Sequence, residues 1–505
     1  RGSPTVILAQ TIKGYGLGEA GEGRNVTHKQ KELNEQELRQ FRSRFGIPIS
    51  DDDVASAPFY RPDEESEEIQ YLLDRRKKLG GFLPERRTEH EALPEPADEV
   101  FSQFDKGSED REVATTMVAV QIVGDLLDDD SFGNRIVPII PDEARTFGLE
   151  ALFRSAGIYA HAGQQYEPVD RDSLLYYNEA QSGAILEEGI TEAGSISSFI
   201  AAGTSYATHG FPMIPFFLFY SMFGFQRIGD LIWAAGDARA RGFLIGGTAG
   251  RTTLPGEGLQ HQDGQSHQLA MSVPNVRAYD PAYAYELATI IREGMKRMYG
   301  DNDDLIYYIT VMNEKYPMPK RPSGSDDGIV RGLYRVRDAT DKPAVHLAGS
   351  GAILREALEA AELLAEKFDV DADVYSATSW KALYDDAVRA ERVNRLHPGK
   401  KKQTPYVTEQ LDDEAPAVAA TDYLRSVPLS VAPWVPGGLT ALGTDGYGQS
   451  DNRTWLRDYF EVDSRYIALA ALTRLNQTGA VTDKQLKSAI KELNIDAEKP
   501  YSGDL

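Results

Sequence analysis

The hydrophobic pattern changes period repeatedly along the chain, and those changes outline its elements. Short, almost wholly apolar runs at 135–140, 213–219, 242–245, 276–279 and 305–311 alternate with stretches of helical spacing at 112–127, 188–207, 226–240 and 281–298. Strands without a polar face are covered on both sides, and strands separated by helices predict a parallel, doubly wound α/β sheet. The theme returns on a smaller scale, with a strand at 344–348, a GSG turn, a helix at 352–368 and a strand at 370–376. Residues 416–421 and 428–435 read as extended, 443–451 as a turn-rich loop, and 464–477 as a final helix.

The beginning of the chain is patterned differently. Residues 5–9 read as a fully buried strand, followed by a glycine-rich loop from 14 to 30 with five glycines, alternating charge and His28 near its far end. That composition predicts a mobile loop of the kind that orders over a ligand. Asn34 with Glu37 three residues on matches a capping box, opening a helix with Leu38, Phe41 and Phe45 on one face. Residues 50–110, rich in Asp, Glu, Pro and Arg, read as a linker with short helices. The proline- and glycine-rich stretch 317–328 marks a second boundary. The expected divisions are 1–91, 92–321 and 322–505.

Composition narrows the class. A chain of 505 residues is too long for one core, and 41% hydrophobic with 10% aromatic residues is a folded composition. The 78 acidic and 54 basic residues leave a formal charge of −24, which argues against nucleic acid or an anionic membrane as partner. With no cysteine, disulfide and thiol chemistry are excluded, which fits a cytoplasmic protein. There is no signal-peptide pattern and no apolar run long enough to span a bilayer. The chain opens at Arg1 almost directly on an apolar strand pattern, which reads as the interior of a longer polypeptide.

Candidate chemistry concentrates in residues 216–267. Four aromatics in five residues (216–220) are followed by a helical segment, a short strand and a polar loop holding Glu257, His261, Asp263 and His267. Aromatic surface beside titratable groups suits a flat, charged organic cofactor; a core strand with an acidic surface loop would give the same letters. The two histidines match no closed zinc pattern, so acid–base work or an oxyanion contact is the functional reading and a surface loop the plain one. Asp142 and Glu143 follow an apolar strand directly, where parallel sheets place ligands, and equally fit a helix N-cap. Glu192 lies in GITEAG within an apolar helical stretch. Buried there, its carboxyl would be held neutral and able to hydrogen-bond a heterocyclic nitrogen; exposed, it would be an ordinary helix position.

The block YSMFGFQRIGDL, followed by GGTAGRTTLPGEGLQHQDGQSH, resembles the middle, pyrimidine-binding domain of the thiamine-diphosphate-dependent pyruvate dehydrogenase component of homodimeric bacterial type. The resemblance runs essentially from Pro4 to the C-terminus. It implies a transketolase-like, thiamine-diphosphate-binding fold with a smaller transketolase-C-terminal-like α/β domain. It also implies oxidative decarboxylation of pyruvate with reductive acetylation of the lipoyl group of dihydrolipoamide acetyltransferase. By the same resemblance Glu192 contacts the cofactor's aminopyrimidine and activates it, while Tyr220 and Phe223 hold its face. Glu257 becomes a further active-site carboxylate. Asp142, Glu143 and His261 match active-centre residues, and the loop of Glu22, Arg24 and His28 matches one that orders over the reacted cofactor, its histidine serving acetylation. The family holds diphosphate and Mg²⁺ through a GDG motif, which this sequence lacks, so those ligands are expected in an N-terminal domain outside it. A homodimer in a multienzyme complex follows from the resemblance. Alternatives are a thiamine-dependent relative acting on another 2-oxo acid, a transketolase, or a non-catalytic scaffold.

Overall fold

The computed structural model describes residues 5–29, 32–82, 88–141, 147–153, 155–169 and 177–504, and divides into two compact units, Arg1–Glu85 and Arg86–Leu505. In the first unit, residues 5–9 form no strand. Val6, Ile7 and Leu8 are largely exposed, because no neighbouring strand among the described residues offers them hydrogen bonds or cover. The glycine-rich segment is folded into turns, with short 3-10 helices at Gly18–Ala20 and Asn25–Lys29. Glu22 braces it, accepting from Gly16 N–H at 3.3 Å and pairing with Arg44 at 2.7 Å. The capping box forms as predicted: Asn34 Oδ1 accepts from Glu37 N–H and Glu37 Oε2 from Asn34 N–H, opening helix α1, Glu35–Phe45. Phe41 and Phe45 pack at 4.8 Å. Ser66 caps α2, Glu67–Lys78.

The second unit holds two parallel-type sheets. The first contains β1 (Ile136–Ile140), β2 (Leu186–Glu187), β3 (Ile214–Tyr220), β4 (Gly242–Gly247), β5 (Val276–Tyr279) and β6 (Ile306–Thr310). They lie in the order β2-β1-β3-β4-β6-β5, with every pairing parallel. Successive residues feed opposite layers: Phe216 and Leu218 of β3 join one core, Phe217 and Phe219 the other. Phe216 stacks on Phe243 of β4 at 4.5 Å. Three of the four aromatics in the run are therefore core residues, and only Tyr220 reaches the strand end.

Helices of this part include α3 (Thr115–Leu127), α4 (Glu192–Gly203), α5 (Phe225–Asp237), the short α6 (Ser266–Ala270) and α7 (Ala284–Met295). The helical stretch predicted from 188 begins at Glu192 instead, where Thr191 accepts from Gly194 N–H. Past Met295 the helix widens into a π turn, Lys296–Gly300.

The second sheet contains β7 (Tyr334–Arg337), β8 (Val345–Gly349), β9 (Ala372–Ser376), β10 (Ala417–Ala420) and β11 (Leu439–Leu442). Its order is β7-β9-β8-β10-β11, parallel except for the antiparallel edge strand β7. Helices α8 (Ile353–Phe368) and α10 (Ser464–Gln477) share its larger core, and α9 (Trp380–Leu396) packs on the other face. Residues 428–435 are not extended. They form a helical turn, Ser426–Leu429, and a 3-10 turn, Ala432–Trp434, because Pro428 and Pro433 cannot donate to a ladder and have φ preset for helical turns. The helix 464–477 is followed by another, α11 (Asp483–Glu492), with its own capping box.

The two sheets are joined by buried polar contacts. Glu286 on α7 accepts from its own cap at Ala282 and Tyr283, and from Tyr334 and Ser376 of the second sheet at 2.6 Å each. Among the described residues no helix is long and apolar enough to cross a membrane.

Candidate active site

At the carboxyl edge of the first sheet, β3 ends at Tyr220, paired with Gly247 of β4. The chain turns through Ser221–Phe223 into α5, and this turn swings Phe223 back to face Tyr220, ring centroids 5.7 Å apart at 75°. The polar loop after β4 returns to the same place. His261, in the turn Leu259–His261, lies 5.2 Å from each of the two rings. Glu257 Oε2 stands 3.7 Å from His261 Nδ1, close enough for charge interaction and too far for a hydrogen bond. That Nδ1 is buried and has no hydrogen-bond partner among the described residues.

Glu192 approaches from the other side. It is the first residue of α4, its side chain 12% exposed, and Arg227 Nη1 donates to its Oε1 at 3.2 Å. The same guanidinium lies 3.7 Å over the Phe223 ring. Arg227, one turn after Phe223 on α5, thus ties the carboxylate to the aromatic wall. In place of the apolar enclosure expected around Glu192, the structure puts a cation and a helix N-terminus beside it. Arg227 was missed in the sequence, although its spacing of four from Phe223 was the available signal.

The titratable loop divides in two. Glu257 and His261 join the aromatic pair, while Asp263 and His267 belong to the interior. Asp263 Oδ1 accepts from Gln265 and Ser266 N–H groups, fixing the start of α6. His267 is buried, its Nε2 3.0 Å from Thr310 Oγ1, and desolvation pushes its pKa down to about 3. Its hydrogen-bond partner among the described residues is Thr310, in the interior, and the ring does not join the aromatic pair at the strand edge. Thr310 also donates to buried Asp280 Oδ1 at 2.7 Å, and burial pushes that carboxyl up to about 7. Asp280 was not singled out from sequence; an Asp-Pro pair directly after an apolar strand was its signal.

Asp142 and Glu143 lie outside the described residues. His28 belongs to the 3-10 helix Asn25–Lys29 of the first unit, next to a segment braced by Glu22, whose carboxyl the Arg44 hydrogen bond holds below its ordinary range. The Arg24 carbonyl, just before this helix, accepts from Thr27 N–H within it at 3.3 Å.

Residues 91–319 match the family described as pyruvate dehydrogenase E1 component middle domain, and residues 332–463 match the transketolase-like C-terminal domain. The chain is 53% identical over 503 residues to a pyruvate dehydrogenase E1 component of Pseudomonas aeruginosa, covering 99% of this chain and 57% of that protein. It is 49% identical over 503 residues to the corresponding Escherichia coli K12 protein, with 99% and 56% covered. The chain therefore spans a little over half the length of these relatives. Among solved structures, transketolase from Campylobacter jejuni superposes with a TM-score of 0.60 at 15% identity, over 91% of this chain and 61% of that one, a likeness of fold.

Proposed function

We propose, from the premise that residues 91–319 belong to the pyruvate dehydrogenase E1 middle-domain family and residues 332–463 to the transketolase-like C-terminal family, that this chain supplies the pyrimidine-binding half of a thiamine diphosphate site. In the complete enzyme that site serves oxidative decarboxylation of pyruvate and reductive acetylation of the lipoyl group of dihydrolipoamide acetyltransferase. The observation that carries the reading is the convergence of Glu192, Arg227, Phe223, Tyr220 and His261 at one sheet edge. Two aromatic faces beside a hydrogen-bonding carboxylate fit a flat heterocycle with ring nitrogens.

Thiamine diphosphate, when bound, supplies the electron sink for loss of carbon dioxide from a 2-oxo acid. Tyr220 and Phe223 would hold the pyrimidine face, and Glu192, oriented by Arg227, would hydrogen-bond a ring nitrogen. His261, with Glu257 beside it, would move protons at the keto oxygen. Asp142 and Glu143 would contribute active-centre carboxylates, and His28 the proton transfer of lipoyl acetylation. The diphosphate and Mg²⁺ would be held by residues elsewhere in the complete protein. Residues 1–91 are read as the end of a cofactor domain with its linker, 92–321 as the pyrimidine-binding domain and 322–505 as the C-terminal domain. The sequence resemblance supports a cytoplasmic homodimer within the multienzyme complex.

The test is made in the complete enzyme. Rates on pyruvate, 2-oxoglutarate and a ketose phosphate separate this reading from the other thiamine-dependent ones, and pyruvate is expected to be preferred. His28→Ala is expected to keep decarboxylation with an artificial electron acceptor and to lose lipoyl acetylation. Equal losses in the two assays would refute that division of labour.

A further inference from the structure

We propose that Asp422, in the second sheet's domain, is a positioning residue for the candidate active site, holding the loop that presents Glu257 and His261; the catalytic part of this inference rests on the function proposed above. Asp422 stands two residues beyond β10, a central strand parallel to both neighbours. Pairing runs outward from β8 to β9 on one side and β10 on the other, and the carboxyl ends at such a reversal form the crevice where open parallel sheets take ligands. Here the crevice takes a loop of the first sheet.

The loop enters as a ligand would, backbone first. Thr252 N–H donates to Asp422 Oδ1 at 2.7 Å, while Thr253 N–H and Oγ1 donate to Oδ2 at 3.1 and 2.6 Å. Arg251 N–H donates to the Asp422 carbonyl at 3.3 Å. Three successive amides gathered on one residue form a nest around it. The approach is possible only because residue 250 has no side chain: a Cβ there would lie 2.3 Å from Asp422 Oδ2, and its φ is +87°. Asp422 is 2% exposed, so water cannot replace these donors.

Two further attachments bracket the catalytic candidates. Gly256 N–H donates to the Asp451 carbonyl at 3.0 Å on one side. On the other, Gln449 N–H donates to Gln262 Oε1 at 2.7 Å. Glu257 and His261 lie between these two points, suspended from the second sheet's domain while facing aromatics of the first. The C-terminal domain thereby gains a part in the site through the loop it holds. Asp422 supplies the anchor with the most donors.

The experiment uses the complete protein and three variants. Asp422→Asn keeps the shape and removes charge and acceptor capacity. Thr253→Val removes one donor and leaves Asp422 intact. Asp373→Asn is the control, a buried aspartate of β9 that accepts from Ala339 N–H and pairs with Arg335, remote from the loop. Amide hydrogen exchange across 250–264 is measured first, because it needs no assumption about the reaction. Asp422→Asn is expected to speed exchange there about ten- to hundredfold, and Thr253→Val by less, while Asp373→Asn leaves the segment unchanged. Unchanged exchange in both loop variants, or the same increase in the control, overturns the anchoring. Decarboxylation is measured second: Asp422→Asn is expected to lower kcat at least tenfold with little change in KM. Wild-type kcat despite faster exchange would overturn the catalytic part alone. A wild-type protein inactive on pyruvate would refute the proposed function and leave the exchange result standing.

Discussion

The carboxyl edges of the two sheets present the same architecture and hold opposite things. At the first, the end of β3 and the turn after it leave Tyr220, Phe223, Glu192 and His261 half-buried and joined by side-chain contacts. At the second, Asp422 is closed over by backbone amides of an incoming loop and is 2% exposed. On the proposed function the first edge receives a small molecule, whereas the second is filled by the protein itself. A parallel sheet provides the crevice, but the residues at the strand ends determine its occupant.

The largest effect that sharpens this contrast is expected from Glu192→Gln. If the open edge works on a cofactor, decarboxylation falls about 10²- to 10⁴-fold, the range for a lost acid–base group, while thermal stability stays near the wild type. Activity within a few-fold of wild type would remove Glu192 from the mechanism. The side chain is partly exposed at a helix start, so a large loss of stability is not expected.

Between the two edges lies a pair of buried groups with opposite pH linkage, both on Thr310. Asp280 is raised to about 7 in the folded state from an ordinary value near 3.8, so its contribution favours folding at low pH and is lost as pH rises from about 4 to 7. His267 is lowered to about 3 from 6.5, so its contribution is present above 6.5 and lost as pH falls toward 3. The two slopes oppose each other over roughly pH 4 to 6.5, by on the order of a few kcal/mol each. Urea denaturation of Asp280→Asn is expected to show stability rising with pH over that window. His267→Gln should show it falling. Parallel curves for wild type and both variants would mean that neither group is desolvated as described.

How much of this was legible follows from the range of each interaction. Parallel strands buried on both faces are solid apolar runs, so 136–140, 214–220 and 306–310 stand out in the letters. The capping box at Asn34 is equally local. Residues 428–435 misled because valine and tryptophan suggest a strand while Pro428 and Pro433 decide otherwise. Helix α9 was passed over, although Trp380, Leu383, Ala387 and Ala390 mark its buried stripe. The aromatic run split in a way no local pattern records: three rings fill the core, and Tyr220 joins Phe223 only because the chain turns between them. The Asp422 anchor spans 170 positions to Thr252, and nothing near either residue announces the other.

A smaller effect tests the two fates of the aromatics directly. Phe216→Leu lies in the core beneath the edge and is expected to cost about 1–3 kcal/mol of stability with little effect on cofactor affinity. Phe223→Ala removes a ring that stacks under Arg227 and faces His261, where partial exposure limits the stability cost.

The most direct measurement of the central claim is the affinity of the complete protein for thiamine diphosphate, wild type against Phe223→Ala and Phe216→Leu, by fluorescence titration at saturating Mg²⁺. The account predicts that Phe223→Ala weakens binding about tenfold, the scale of one lost aromatic stack, while Phe216→Leu binds as wild type does. Equal affinity in all three proteins would contradict it, and would place the cofactor somewhere other than the edge formed by Tyr220 and Phe223.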